Sequence, residues 1–478
     1  MPYVPRLSQS TPLFRCLEQH LNTFIERSDL AGGLPFFVKR ELLKFSECGV
    51  LAHGFARLRC TDCKDDRLVP FSCKGRGFCP SCGGRRMSDT AAYLSEVILY
   101  KRPVRQWVLT FPVWLRRAVA HSQRLASRIL AIHIKEIESY FCSRSSSRGQ
   151  IGAVTVIQRF GGALNLNPHF HTLVPDGLFV KTKVGTAQFR PVGPPTTSDI
   201  NRILHRIMQG ILRFLQNNGF AMSRKLGGHA LNDCVDASIG QYQLLGASPG
   251  NRLPSTKVDG PQPNIRFDNR LVAKSEGFSL HAGVYVPATD PGGLELLCRY
   301  VARPAISQKR LSMRADGHMV YRLRSPWRDG TTEIVFSPLD FIARLAALVP
   351  PPRSNLIRYH GVFAPAAKLR KSAISSGLSE ALVRKPNRTN PVRRNLLWAE
   401  LMARVFGVNV LRCPKCGGEC RVIAMIDDPP VIRKILGHMG LPTEPIELAP
   451  ARGPPLDYVD VPTALDYVDV PTAVYMTS

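Results

Sequence analysis

The sequence predicts an α+β chain, with an N-terminal helical and zinc-binding domain and a small C-terminal module containing cysteines. Three observations predict it. Residues 105–112 and 153–160 carry the two-residue alternation and β-rich composition of strands, and Gly161-Gly162 joins the second to a further strand as a hairpin. Apolar side chains recur at helical spacing near 11–46, 87–100, 113–142 and 198–218. Eight of the 13 cysteines fall in two short clusters.

The elements follow in chain order. Residues 1–46 form a helical segment through Leu13, Leu17, Leu21 and Phe24, broken at Asp29, Gly32 and Gly33. Residues 47–100 hold the first cysteines and form a zinc-binding domain. A catalytic domain spans 101–310, with loops at 182–200 and 244–270 rich in Gly, Pro, Ser and Thr. Residues 311–400 form a DNA-binding and linking region, whose stretch 368–394 has eight Lys or Arg and only Glu380 in opposition. Residues 401–445 form the C-terminal cysteine module. The tail 446–478 is expected to be disordered and acidic, and it repeats Leu-Asp-Tyr-Val-Asp-Val-Pro-Thr-Ala at 456–464 and 465–473.

A formal charge of +28 on 478 residues points to nucleic acid or an anionic membrane. No segment approaches the ~18 consecutive apolar residues of a membrane span, and the first ten residues lack the regions of a signal peptide. The expectation is a cytoplasmic, nucleoid-associated bacterial protein whose partner is DNA rather than membrane. Clustered cysteines in a reducing compartment imply metal.

Cys60-x2-Cys63 and Cys79-x2-Cys82, fifteen residues apart, have the spacing of two knuckles on one tetrahedral structural zinc. Cys73 is an alternative ligand. Cys48 is also surplus, and either thiol is available for a second ion with His53. Four thiolates leave no open position, so this zinc would fold the domain rather than catalyse. Lys74, Arg76, Arg85 and Arg86 lie beside the knuckles as candidate phosphate contacts. Cys413, Cys416 and Cys420 are a possible second zinc site, which His438 would complete.

In Asn165-Leu-Asn-Pro-His169-Phe-His171, the two histidines share one face of a strand while Phe170 and Thr172 face away. Both imidazoles can reach one ion. A third ligand is Gln158 on the neighbouring strand or Asp176 beyond the histidines. Imidazole with carboxamide or carboxylate suits Mg2+ or Mn2+ as a Lewis acid on phosphate. Downstream, Leu294, Leu297, Cys298 and Val301 form the apolar stripe of a helix that Pro304 ends. Tyr300 falls roughly 110° off that stripe, flanked by Arg299 and Arg303 as DNA contacts. Its hydroxyl, beside cations and a bound phosphate, can attack phosphorus to give a 5′-phosphotyrosine and a free 3′-OH.

These segments, with Arg105-Gln-Trp-Val-Leu-Thr-Phe-Pro112, Arg299-Tyr-Val-Ala-Arg-Pro304 and Tyr359-His-Gly-Val-Phe-Ala-Pro365, resemble the rolling-circle transposases of the IS-ninety-one-like and insertion-sequence-common-region group, within the HUH endonuclease superfamily. The resemblance covers roughly 45–440. It implies an antiparallel sheet flanked by helices, the Trp107 strand central beside the histidine strand, and a metal on the sheet's exposed face. It also implies nicking of single-stranded DNA at element ends, strand transfer, and displacement by the host replication machinery. Leu296 stands where two-tyrosine members have their other tyrosine, so the chain resembles the single-tyrosine branch. Pro304 replaces the glutamine ligand of small single-tyrosine enzymes, which turns attention to Gln158. The alternatives are a plasmid replication initiator or relaxase of the same superfamily, and a non-catalytic zinc-dependent DNA-binding regulator. Oligomeric state is not legible.

Overall fold

A computed structural model describes residues 8–219, 229–257, 271–375 and 409–453. The basic stretch beyond 375 and the repeated tail lie outside the described residues.

Two helices open the chain, α1 (Pro12–Leu30) and α2 (Phe36–Ser46), separated where Asp29 to Gly33 break the periodicity. Strands β1 (Phe55–Cys60) and β2 (Asp66–Pro70) precede α3 (Pro80–Tyr93), which starts at Cys79 with proline in its first turn. Then come β3 (Val104–Thr110), α4 (Val113–His121), α5 (Gln123–Ser143), β4 (Gly152–Phe160) and β5 (Leu166–Pro175). A short hairpin, β6 (Gly177–Lys181) and β7 (Ala187–Pro191), leads to α6 (Thr197–Asn217), which a Thr196–Asp199 capping box starts. Next are α7 (Ala230–Gly240), β8 (Ser255–Lys257), β9 (Val272–Ser275), β10 (Phe278–Val286) and α8 (Pro291–Val301). The strands β11 (Leu311–Met313), β12 (Met319–Arg322) and β13 (Thr331–Phe336) precede α9 (Pro338–Leu348), β14 (Ile357–Gly361) and α10 (Arg370–Ser375). The C-terminal module contributes β15 (Cys420–Ile426) and α11 (Pro429–His438).

The fold is α+β. Its centre is a six-stranded sheet in the order β14-β4-β5-β3-β10-β9, with every pair antiparallel. The Trp107 strand lies inside it, beside the histidine strand. Alternation divides the sheet's two faces. Trp107, Leu109, Phe170 and Val174 pack under α4, α5 and α6 in one core. Val104, Val154, Val156 and Leu173 pack under α3 and α8 in another. A third core joins α1 and α2 to α7, α9 and the four-stranded sheet β11-β12-β13-β8.

Two arrangements differ from the sequence expectation. The edge strand β14 comes from 357–361, inside the stretch expected to bind DNA and link, and it pairs with β4 along Ile357↔Val156 to Gly361↔Gly152. The C-terminal module joins the first domain: β15 lies against β1 in a three-stranded sheet, β15-β1-β2. Strand pairing is a long-range choice that local periodicity does not encode. Among the described residues, no helix is long and apolar enough to cross a membrane.

Candidate catalytic site and cysteine clusters

Strand β5 sends His169 and His171 to the face covered by α8, their ring centroids 4.7 Å apart. The register sets Gln158 opposite His169 and Val156 opposite His171, so Gln158 shares the histidines' face. This face is not exposed as expected. His169 and His171 are buried, because the apolar stripe Leu294, Leu297, Cys298 and Val301 brings α8 down onto Val154, Val156 and Leu173.

Hydrogen bonds fix the donor and acceptor roles. His169 Nδ1 lies 2.7 Å from the carbonyl of Asn167, which only accepts, so Nδ1 carries the proton and Nε2 keeps its lone pair. His171 Nδ1 lies 2.6 Å from the side-chain amide of Gln106. The facing atom is Gln106 Nε2, a donor, so Nδ1 accepts; a ligating Nε2 requires the amide turned over, its oxygen accepting from Nδ1–H. Gln158 Nε2 donates to the carbonyls of Tyr300 at 3.2 Å and Val301 at 2.7 Å. Both partners are acceptors, which settles the amide's orientation and turns Oε1 away from them. His171 Nε2 and Gln158 Oε1 are buried with no hydrogen-bond partner. Gln158 Oε1 is thus an orphaned buried acceptor, costly unless something fills its lone pair, and a cation does so. Burial pushes His169 down to about 4, with Arg303 and Arg116 adding to it, and pushes His171 well below its ordinary value. Both rings are therefore neutral ligands near pH 7. His169, His171 and Gln158 could hold one divalent ion.

Asp176, the alternative third ligand, is engaged elsewhere. Arg105 grips its carboxylate through Nε and Nη2, at 3.0 and 2.6 Å from Oδ2, in a pair buried on both sides.

Tyr300 stands at the last turn of α8, 38% exposed, its ring perpendicular to that of His171 at 5.8 Å between centroids. The guanidinium of Arg303 lies 4.2 Å from the Tyr300 centroid, and that of Arg324 lies 5.9 Å away. Arg303 also donates to the Tyr300 carbonyl at 3.2 Å. Arg299 turns aside, pairing with Glu295 at 3.1 Å and reaching Ser88 on α3. Leu296, one turn before Tyr300, is 69% exposed. Behind the tyrosine, Pro304 meets α3 so closely that a Cβ on Gly83 would sit 2.6 Å from the proline Cβ.

The cysteines group differently from their spacing. Cys79 and Cys82 converge with Cys48 and Cys73, not with Cys60 and Cys63. Sulfur separations are 3.6 Å for Cys48–Cys79, 3.9 Å for Cys48–Cys82 and 3.5 Å for Cys73–Cys82. Cys60 and Cys63 instead meet Cys413 and Cys416. Cys420 is the strand partner of Cys60 and stays outside that group, as does His438 at the end of α11. The fifteen-residue spacing misleads because β1 and β2 carry the first knuckle away from α3.

The remaining predicted cations surround the first quartet. Arg85 approaches Cys82 Sγ at 3.9 Å, Arg86 donates to the carbonyl of Gly75 at 2.9 Å, and Arg76 donates to that of Ser354. Lys74 is exposed. Sequence reasoning missed Gln106 and Arg324 as site residues. The alternation of β3 puts Gln106 on the histidine face, but its contact depends on register. Arg324 arrives from a loop after β12 with no local signal.

Two family matches bear on the chain. The transposase family Y2_Tnp matches residues 152–372, which contain His169, His171, Gln158 and Tyr300. A transposase zinc-binding domain, Zn_Tnp_IS91, matches residues 16–111, which contain Cys48, Cys73, Cys79 and Cys82. That match and the thiol quartet within it support structural zinc. No curated protein and no solved structure matches.

Proposed function

We propose that this IS91-like transposase cuts single-stranded DNA at its element's ends with Tyr300 and carries the cut strand as a 5′-phosphotyrosine. The observation that carries this reading is the meeting of Tyr300 with His171 at 5.8 Å, beside the buried and unpartnered His171 Nε2 and Gln158 Oε1.

In the step, Tyr300 Oη forms a bond to phosphorus and gives up its proton, the P–O3′ bond breaks, and the departing 3′ oxygen takes a proton. The phosphotyrosine keeps the energy of the phosphodiester, so a later 3′-OH can displace Tyr300 without ATP. Arg303 and Arg324 lie against the tyrosine ring and supply positive charge for a phosphate there. His169, His171 and Gln158 would hold Mg2+ or Mn2+, which when bound polarises a phosphoryl oxygen. The Asn167 carbonyl keeps His169 in the ligating tautomer, and Gln106, with its amide oxygen turned to the ring, would do the same for His171. With one tyrosine, and with Leu296 one turn before it, the chain acts as a single-tyrosine enzyme. Transfer then proceeds in rolling-circle fashion, with host replication displacing the strand. Lys74, Arg76, Arg85 and Arg86 on the zinc-binding face contact the DNA backbone.

The test uses end-labelled single-stranded DNA spanning an element terminus, with Mg2+ or EDTA, resolved on denaturing gels. A protein–DNA adduct that needs the metal, and that both Tyr300→Phe and His169→Ala abolish, is expected. An adduct that survives Tyr300→Phe would sink the assignment of the nucleophile.

A further inference from the structure

Cys60, Cys63, Cys413 and Cys416 come from chain segments about 350 residues apart. Their sulfurs lie within 4.8 Å of one another, with Cys60–Cys416 at 3.5 Å and Cys63–Cys413 at 3.6 Å. A tetrahedron of sulfurs about 2.3 Å from zinc has edges of about 3.8 Å, so the thiols already stand near the corners of such a site.

The two turns that present them are built alike. The N–H of Cys60 donates to the carbonyl of Asp65 at 2.9 Å, and the N–H of Cys413 donates to that of Gly418 at 2.8 Å, five residues on in each case. The residue after the second cysteine is left-handed in both, Lys64 at φ 60° and Gly417 at φ 76°. The N–H of Gly418 donates to Cys416 Sγ at 3.4 Å. Two matching turns that bring backbone donors and four thiols to one point form a paired-knuckle metal site. Lys64 and Lys415 flank the thiols, Lys64 donating to the Thr61 carbonyl at 2.6 Å and Lys415 pairing with Asp65 at 2.5 Å.

Packing gives a reason for a metal here. Among the described residues, the C-terminal module buries Ile432 and Leu436 against Phe55 and Leu68, with a small second cluster around Cys413 and Cys420. On β15, Val422, Ile423 and Met425 remain exposed. A metal link would reinforce that modest apolar contact and the β15–β1 pairing.

We propose that these four cysteines form a second structural zinc site, shared between the two ends of the chain, that clamps the C-terminal module onto β1. The site is independent of the DNA-cutting chemistry. It sets β15 in register with β1, where Cys420 pairs with Cys60 and the N–H of Thr61 donates to the Glu419 carbonyl at 2.9 Å. Binding releases the thiol protons, so occupancy weakens in acid.

The test is zinc content of the purified full chain in reductant, by mass spectrometry of the metal against protein concentration. Two zinc per chain are expected. Cys413→Ala and Cys63→Ala should each lose one equivalent, and the double variant should lose no more than either alone, because one ion is shared. Cys420→Ala should keep both. Zinc content unchanged in Cys413→Ala, or losses that add in the double variant, would overturn the proposal. Should the variants fail to fold, Co2+ titration of the metal-stripped wild type replaces them. Two equivalents with tetrathiolate absorption are expected, and saturation at one overturns it.

Discussion

Gln158 donates its side-chain amide to the carbonyl of Tyr300 at 3.2 Å, tying strand β4 to the last turn of the tyrosine helix. A second bond from the same nitrogen reaches Val301 at 2.7 Å. These carbonyls belong to the helix end, where intrahelical partners run out. One side chain thus anchors the tyrosine's backbone while its oxygen faces the histidines' side of the sheet.

Gln158→Leu removes both roles. It strands two carbonyls, at a cost of about 1–3 kcal/mol each if they stay dry, and deletes the proposed metal donor. The expected result is a lower melting temperature together with an adduct yield that needs more Mg2+ to saturate. Unchanged metal dependence would remove Gln158 from the ligand set.

Asp176→Asn separates the two candidate third ligands. It leaves the buried Arg105 without its counter-charge, which costs about 3–5 kcal/mol. Chemical denaturation should report that loss. The Mg2+ concentration giving half-maximal adduct should stay where it was, because the carboxylate serves Arg105.

Acid should destabilise the metal-free protein. Burial lowers His169, His121 and His360 to about 4 and His133 to about 3, and holds His171 well below its ordinary value. As pH falls below about 6.5, the unfolded chain takes up protons that the folded chain refuses. The stability these groups contribute is therefore complete above that value and declines as pH falls through the window down to about 4. His169 alone accounts for on the order of 3 kcal/mol. Urea midpoints measured in EDTA across this window test the sign, and a midpoint that rises on acidification contradicts it.

Gly83→Val should push α3 off the segment after Tyr300. Its Cβ would stand 2.6 Å from that of Pro304, next to the proline backbone rather than a movable side-chain tip. Overpacking of this kind costs about 1–3 kcal/mol. Slower adduct formation with zinc content unchanged is expected. A normal rate would mean that α3 does not position the tyrosine.

Local periodicity made several parts of the site legible. The two-residue spacing of His169 and His171 put both on one face, and the apolar stripe of α8 left Tyr300 off the core. The Gly161-Gly162 hairpin brought Gln158 opposite His169. What was not legible depends on partners distant in sequence. Cys60 and Cys63 find Cys413 and Cys416, β14 finds β4, and Arg324 finds Tyr300. Spacing within a motif constrains a turn, whereas sulfur convergence is decided by how sheets and helices pack.

Strand β14 has a consequence for synthesis. The central sheet takes this edge from residues 357–361, far downstream of β4, which it pairs with. A ribosome must therefore read through about three-quarters of the 478 codons before the sheet can close. Shorter translation products would carry His169, His171 and Tyr300 on an unfinished sheet, with the β4 edge open to other chains. Abandoned messages would thus yield aggregation-prone fragments, so any activity of the central sheet belongs to molecules translated past this point.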